Sequence, residues 1–135
     1  MSKSAIYTVN NTNQNLEAGA TINLGVVNRK FGSNLALEGN AIRECGTGYY
    51  KYCGTFTLAP TAEGNVSVTA YKDGVTIPGA TASATALGAG DFVNVSLSFV
   101  TREFCGCCED VSNISFVLEE TASNVTNVAV VGEKL

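Results

Sequence analysis

Three of the five cysteines of the chain lie within four consecutive positions, in the segment FCGCC from Phe104 to Cys108. Cysteine thiolates bind zinc or iron, exchange disulfides and act as nucleophiles, so these residues are the first candidates for chemistry. Because the number of cysteines is odd, at least one of them has no disulfide partner within the chain. The five are Cys45, Cys53, Cys105, Cys107 and Cys108.

A metal site is not favoured by the spacing of these cysteines. A structural zinc site needs four thiolate or imidazole ligands, usually supplied as two closely spaced pairs. Cys105, Cys107 and Cys108 could supply three of them, but Cys45 and Cys53 make a poor second pair because they are not close in sequence. A thioredoxin-like redox centre fits less well, because its cysteines precede a helix and no helical pattern follows here. We expect no cofactor, and the three clustered cysteines are the candidates if a metal is bound.

Two other states of the cysteines stay open from the sequence. Disulfides within or between subunits could form late, after assembly in a reducing cytoplasm, and would join Cys45 or Cys53 to the FCGCC segment or to another subunit. All five could equally be unpaired thiols, because unpaired cysteine behaves as a small apolar side chain. Strand alternation places Cys53 on the same face as Lys51 and opposite Tyr52, so we expect it to point away from the core.

Residues for the usual catalytic mechanisms are scarce. The chain has no histidine, which removes the commonest general base and the commonest metal ligand. The acidic pairs Glu119-Glu120 and Glu109-Asp110 are sequence neighbours, and neighbouring strand residues face opposite sides, so neither pair can easily act on one substrate. No phosphate-binding glycine motif is present. The sequence therefore predicts a protein that is not an enzyme.

The charge content of the chain is low. Charged residues make up 15% of its 135 residues, against roughly 25% in an average soluble protein, so much of the surface must be neutral, which suits subunit contacts. A net charge of −4 with eight dispersed basic residues gives no basic surface for nucleic acid or anionic lipid. The N-terminal residues lack the apolar core of a secretory signal, and no stretch of about 18 apolar residues occurs. We expect a protein made in the cytoplasm that binds neither nucleic acid nor membrane.

The elements that must position these residues are β-strands, because apolar residues alternate with a period of two and rarely show a helical period. Asp73-Gly74 is a strong hairpin signal, and Pro60 marks a strand end. About eight to ten short strands at regular spacing predict an all-β sandwich or barrel. The predicted strands are Ser4 to Val9, Ala20 to Val26, Leu35 to Leu37, Ala41 to Arg43, Tyr49 to Leu58, Asn65 to Lys72, Val75 to Ile77, Phe92 to Thr101, Ile114 to Leu118 and Val125 to Val131.

The last of these strands, VTNVAVV, is strongly apolar. An exposed apolar edge strand would promote aggregation, so we expect this strand to lie between earlier strands in its sheet, as the final strand of a jelly roll does. No linker or internal repeat divides the chain. The sequence therefore predicts one jelly-roll domain over residues 1–135, with residues 1–12 as a candidate anchoring arm.

The order of these features resembles the TNF-like jelly-roll superfamily, which includes the globular head of complement. The resemblance rests on Gly48-Tyr49-Tyr50 at a strand start, the Asp73-Gly74 turn, Gly90-Asp91 before a long strand, and the apolar last strand. It covers the chain from about Ala5 to Leu135. Small chains of this kind also resemble the head-fibre and decoration proteins of phages and prophages. The resemblance implies a homotrimer with aromatic and aliphatic side chains packed along its three-fold axis.

Two functions follow from this resemblance. The first is a virion structural protein: a phage capsid decoration or head-fibre subunit that is located in the virion and binds to itself and to a capsid or other virion protein. The alternative is a TNF-like module that recognises a glycan or a protein at a bacterial cell or spore surface. The absence of a Gly-X-Y collagen tract separates the chain from spore-surface members. Tyr49 and Tyr71 are the candidates for a partner or glycan contact, whereas the other aromatic residues are expected mainly in the core or on the trimer axis.

Overall fold

A computed structural model describes residues 3–103 and 111–135 of the chain. All regular elements in these two ranges are β-strands, which confirms the all-β prediction. These ranges contain no helix that is long and apolar enough to cross a membrane. The strands are β1 (Ala5–Asn10), β2 (Gln14–Leu16), β3 (Val26–Phe31), β4 (Leu35–Glu38), β5 (Ala41–Cys45), β6 (Gly48–Pro60), β7 (Gly64–Lys72), β8 (Val75–Ala86), β9 (Val93–Glu103), β10 (Val111–Glu119) and β11 (Ser123–Lys134).

The strands form two antiparallel sheets. Sheet A has the order β3-β1-β11-β6-β9, with the short β2 added beside one end of β11, and sheet B has the order β4-β5-β10-β7-β8. The apolar last strand β11 lies between β1 and β6, where Val131 pairs with Tyr7 on one side and with Cys53 on the other. The predicted central position of this strand is therefore confirmed, and both of its edges are hydrogen-bonded.

The core between the sheets follows from the alternation of long strands. In β6 the side chains of Tyr50, Tyr52 and Phe56 are buried, while Lys51, Cys53 and Thr55 face outward. Phe116 of sheet B lies between two rings of sheet A, with its centroid 5.4 Å from that of Phe56 and 6.0 Å from that of Phe99. These aromatic contacts join the two sheets near the middle of the sandwich.

The predicted strand from Ala20 to Val26 is wrong in its bounds. Thr21 forms only a single bridge to Val117, and the strand of this region, β3, begins at Val26. Gly25 separates the two segments with φ of 82°, and a Cβ at this position would lie 2.1 Å from the carbonyl oxygen of Val9. Because only glycine fits this close turn, the chain changes direction there instead of continuing as one strand.

The predicted turn at Pro78-Gly79 is also wrong, because β8 continues through it to Ala86. The ladder between β7 and β8 shifts register between Thr69 and Tyr71, so the proline and glycine are accommodated in a bulge. An edge strand tolerates proline because one side of its backbone has no partner strand. The stretch of small residues after Gly79 is consequently a strand rather than a loop.

Part of the candidate anchoring arm belongs to the sheet. Ala5–Asn10 form β1, which is hydrogen-bonded to β11 on one side and to β3 on the other. These residues are therefore not available as a separate arm. The short strand β2, which the alternation pattern does not predict, follows after residues 11–13 and pairs with the first residues of β11.

Candidate functional site

The outward face of sheet A is largely uncharged. Ladder pairs place two rows of small or apolar side chains side by side across β9, β6, β11 and β1. Val131 in the centre is 42% exposed. Within these four strands, charged side chains begin in the next row with Lys51 and Glu133, and at the β1 margin Arg29 of β3 pairs with Tyr7. We call this surface the neutral face; it consists of Ser98, Cys53, Val131 and Tyr7 in one row and Ser96, Thr55, Ala129 and Val9 in the other.

The edges of the two sheets differ in charge. On one side of the sandwich, β3 carries Arg29 and Lys30 and β4 carries Glu38. On the other side, β8 has no charged residue and β9 has none before Arg102. Edge strands of monomeric proteins usually carry charges that prevent pairing with other chains, so the β8-β9 side, here called the uncharged side, is a second surface suited to a subunit contact.

Cys45 and Cys53 lie in different sheets. Cys53 is exposed on the neutral face, which confirms the predicted outward direction. Cys45 ends β5 in sheet B, and its carbonyl oxygen accepts hydrogen bonds from the side chains of Asn34 and Tyr50. Both thiols face outward from opposite sheets, so they do not form a bond with each other or act as a ligand pair.

The FCGCC segment lies outside the described residues, and so do the disulfide and metal candidates Cys105, Cys107 and Cys108. Across residues 3–103 and 111–135, no group of three or more histidine, cysteine, aspartate or glutamate side chains could hold a metal ion. Cys45 pairs with Val111, where the description of the chain resumes. The thiol states therefore stay a prediction.

The two predicted contact tyrosines occupy different surfaces. Tyr49 is 50% exposed near the edge of sheet A, and the guanidinium carbon of Arg102 lies 5.4 Å from its ring centroid. Tyr71 lies on the outward face of sheet B, where its hydroxyl donates to Oε2 of Glu119 at 3.3 Å. Thr69 donates to the other oxygen of the same carboxylate. Tyr49 therefore lies on the outward face of sheet A, separated from the neutral face by the row of Lys51, and Tyr71 belongs to a separate polar group.

A buried polar cluster joins the sheets at one end of the sandwich. Glu44 of β5 is fully buried, and its Oε1 accepts hydrogen bonds from Tyr52 and Thr101 of sheet A, both at 2.5 Å. Glu103 is 5% exposed and its Oε2 lies 3.1 Å from Nζ of Lys72. Burial of two carboxyl groups destabilises the folded protein unless the groups are paired or neutral. The contribution of this cluster to the free energy of unfolding therefore depends on which of its carboxyl groups are protonated.

The two carboxyl groups have opposite pKa shifts. Burial, followed by the hydrogen bond with Glu103, raises the pKa of Glu44 to about 7, although the hydroxyls of Thr101 and Tyr52 act against this. Burial also acts to raise the pKa of Glu103, but hydrogen bonds from Glu44 and Ser112 and the ammonium group of Lys72 outweigh it, so that pKa is lowered. Below about pH 7, therefore, Glu44 is the protonated partner of the two.

No sequence motif marks this cluster, although strand phase indicates it. Glu44 follows Ile42 by two residues, and Glu103 continues the buried series that includes Phe99 and Thr101. Acidic residues in the inward phase of an apolar strand predict a buried, paired carboxyl group. Gly132 of β11 supports the arrangement, because a Cβ there would lie 2.8 Å from the Tyr52 ring.

Comparisons with known proteins find solved structures of similar fold, but no matching protein family and no matching curated protein. The globular domain of zebrafish complement 1qA protein superimposes with a TM-score of 0.69 at 10% identity, covering 97% of this chain and 95% of that one. The Eiger TNF structure from S. frugiperda gives 0.69 at 7% identity, covering 98% and 91%.

The fold is the TNF-like jelly roll. The predicted fold class is therefore confirmed. A third structure, PRD1 vertex protein P5, superimposes with a TM-score of 0.62 at 14% identity and covers 97% of this chain and 95% of that one. At such low identity these likenesses establish the fold alone, because one fold hosts many functions.

Proposed function

We propose that this protein is a virion structural subunit, a phage capsid decoration or head-fibre protein, that assembles as a homotrimer. The neutral face carries this proposal. It spans four strands of sheet A and presents Val131 and Cys53 to solvent without a charged residue in its two rows. A surface with few charges and exposed aliphatic side chains is typical of the core of a subunit interface.

A closed ring of three subunits requires two different contact surfaces on each subunit. In a head-to-tail contact, one surface of each subunit meets a different surface of the next, and a rotation of one third of a turn closes the ring. The neutral face and the uncharged side of the same subunit supply such a pair. In this arrangement the edge backbone of β8 is covered by the neighbouring subunit, so it requires no protecting charges.

The virion role has support that is separate from that of the trimer. Its support is the likeness to PRD1 vertex protein P5, together with an assembly mechanism that needs no catalytic group. In this role the protein contributes a rigid surface and its subunit contacts, and it is not an enzyme. Its partners are other copies of itself and a capsid or other virion protein.

We expect Ala129→Arg to dissociate the trimer. Ala129 is half-buried on the central strand of the neutral face, so an arginine there would bury an unpaired charge in the interface. Such a charge typically costs about 3 kcal/mol or more, which corresponds to a rise of about 100-fold or more in the dissociation constant. Native mass spectrometry and sedimentation velocity at one protomer concentration would show wild-type protein at three times the 14.0 kDa subunit mass and the variant mainly as monomer.

Ser115→Arg is the matched control for this substitution. Ser115 is also a small, half-buried, outward residue on the central strand of its sheet, but it belongs to sheet B. The control should remain trimeric. A wild-type monomer, an Ala129→Arg variant that stays trimeric, or equal dissociation of both variants would contradict the neutral face as the interface.

The virion role has its own test. Mass spectrometry of purified particles from the source of the gene should detect the protein in a fixed ratio to the major capsid protein, and labelled antibody should mark particle surfaces. A protein found only outside particles would contradict this role even if the trimer is confirmed.

The alternative function, a binding module for a glycan, is favoured by the polar group around Tyr71. The carboxylate of Glu119 accepts hydrogen bonds from Thr69 and Tyr71, and Thr81 lies 3.0 Å from the Thr69 hydroxyl. Hydroxyl and carboxylate groups beside an aromatic ring are suited to a neutral sugar. Glycan-array binding that is lost in Tyr71→Ala and kept in Tyr49→Ala would support this function.

A further inference from the structure

One end of the sandwich carries only acidic charges. Four turns meet there, at residues 17–20, 60–64, 87–92 and 119–122, and we call them together the acidic end. Backbone hydrogen bonds connect them, from Gly90 to Pro60 at 2.7 Å, from Thr61 to Ala122 at 2.9 Å and from Gly19 to Leu118 at 2.7 Å. The acidic residues of these turns and their margins are Glu17, Glu63, Asp91, Glu119 and Glu120.

The basic residues of the chain all lie elsewhere. None of the four turns contains a lysine or an arginine, and the eight basic residues belong to the opposite half of the strands or to the turns and terminus beyond it. Four of the acidic side chains at the acidic end are exposed, and Glu119 is half-buried. This end therefore has a negative potential that no cation within its turns offsets, although the net charge of the whole chain is only −4.

Two large apolar side chains stand out from the same end. Leu87 is 84% exposed and Phe92 is 69% exposed, and both belong to the turn between β8 and β9. They flank a surface cavity of about 400 Å³ that is also lined by Thr85, Asp91 and Val93. Phe92 was expected in the core or on a trimer axis, and the structure excludes the core by placing it on the surface of the subunit. Large apolar side chains exposed beside a cavity are typical of an interaction surface.

We infer that the acidic end docks a basic protein surface, from which one apolar side chain enters the cavity between Leu87 and Phe92. The charge selects the partner, because lysines and arginines around that side chain would meet Asp91 beside the cavity and Glu63 and Glu120 in the neighbouring turns. A three-fold axis places the same end of every copy at one height, so a trimer would present three such surfaces and bind with increased avidity. The inference rests on the proposed function, since it names the end by which the trimer meets a capsid.

A short basic peptide can test this docking surface. The probe is a seven-residue peptide with blocked ends, in which one central leucine is flanked by four lysines and two glycines. Titrated into the native, isotope-labelled protein, it should shift the NMR signals of residues 85–93 and those of the neighbouring turns. Raising the NaCl concentration from about 50 to about 300 mM should weaken binding about fivefold or more, because the contact is partly electrostatic.

Two variants separate the apolar contact from general attraction to an acidic protein. The double variant Leu87→Ser, Phe92→Ser should raise the dissociation constant of the peptide about tenfold or more, because it removes both walls of the cavity. Val75→Ser is the matched control, since Val75 is 68% exposed but lies at the opposite end of β8. The control should change the dissociation constant by less than about twofold.

The outcomes distinguish this inference from the proposed trimer. Equal peptide binding by the double variant, an equal loss in Val75→Ser, or shifts spread over the whole surface would overturn the docking surface while leaving the trimer intact. Dissociation of the double variant into monomers would also overturn it, because Leu87 and Phe92 would then be subunit contacts. Localised peptide binding by a wild-type monomer would support the docking surface and contradict the trimer.

Discussion

The free energy of unfolding should fall as the pH rises from 4.5 to about 7, and Glu44→Gln should remove this dependence. The pKa of Glu44 is raised from 4.5 to about 7 in the folded protein, so within this range the folded state holds a proton that the unfolded state has lost. The contribution of Glu44 is therefore complete below pH 4.5 and lost as the pH passes 7. Since one pKa unit corresponds to about 1.4 kcal/mol, the loss is on the order of 3 kcal/mol.

Glutamine reproduces the protonated form of this side chain. Its amide oxygen can accept the hydrogen bonds from Tyr52 and Thr101. Its NH₂ group can take the place of the proton in the interaction with Glu103 that raises the pKa of Glu44. The variant should therefore be about as stable as the wild type at pH 4.5 and more stable at pH 8. Denaturant unfolding at several pH values and one protomer concentration would measure both curves.

Glu38→Gln is the control for the loss of a carboxylate. Glu38 lies in the same β4-β5 hairpin, but it is exposed and 3.7 Å from Arg43 in a surface ion pair. This variant should keep the wild-type pH dependence, because surface pairs contribute little to stability. A wild-type curve that is flat between pH 4.5 and 7, or the same slope in Glu44→Gln, would contradict a buried proton at this site.

Glu103 should act in the opposite direction at lower pH. Its pKa is lowered in the folded state, so its contribution is present above pH 4.5 and lost as the pH falls through the lowered value. Stability should therefore be greatest near pH 4.5 to 5. A buried carboxyl pair with one proton thus holds the two sheets together at the end opposite the acidic turns.

Most of the fold could be predicted from the period of the sequence, because period two is dictated by one buried and one exposed face. The alternation in β6 and β9 and the apolar character of β11 were sufficient for two sheets with a central last strand. The errors occurred where backbone geometry overrides the pattern. Gly25 breaks an alternating segment by a close contact, and Pro78 is retained within an edge strand by a bulge.

The candidate sites were less predictable, because they depend on which surfaces stay uncovered. The low charge content predicted a neutral surface, but alternation does not distinguish the outward face of sheet A from that of sheet B. Cys53 was correctly predicted to face outward, yet its position at the centre of the neutral face required the strand order. Leu87 and Phe92 have the apolar side chains typical of a core, yet both are exposed in the turn between β8 and β9.

The second large effect is expected for Phe116→Ala, which should lower the free energy of unfolding by about 3 to 5 kcal/mol. Phe116 is fully buried and is the residue of sheet B whose ring packs against both Phe56 and Phe99 of sheet A. The space it fills cannot readily close. A Cβ built on Gly54 would lie 3.7 Å from the Phe116 ring, so this part of sheet A offers no side chain to occupy the cavity.

Phe92→Ala removes the same atoms from an exposed position and is the matched control, with an expected change within about 0.5 kcal/mol. If Phe116→Ala fails to fold, Phe116→Leu should still show a loss, on the order of 1 kcal/mol, in the same denaturant unfolding experiment. Phe56 and Phe99 alternate with Thr55 and Ser98 of the neutral face, so a loosened core should also weaken the trimer. Equal stability of the Phe116 and Phe92 variants would show that the sheets are held together elsewhere, with the buried Glu44 cluster as the remaining connection between them.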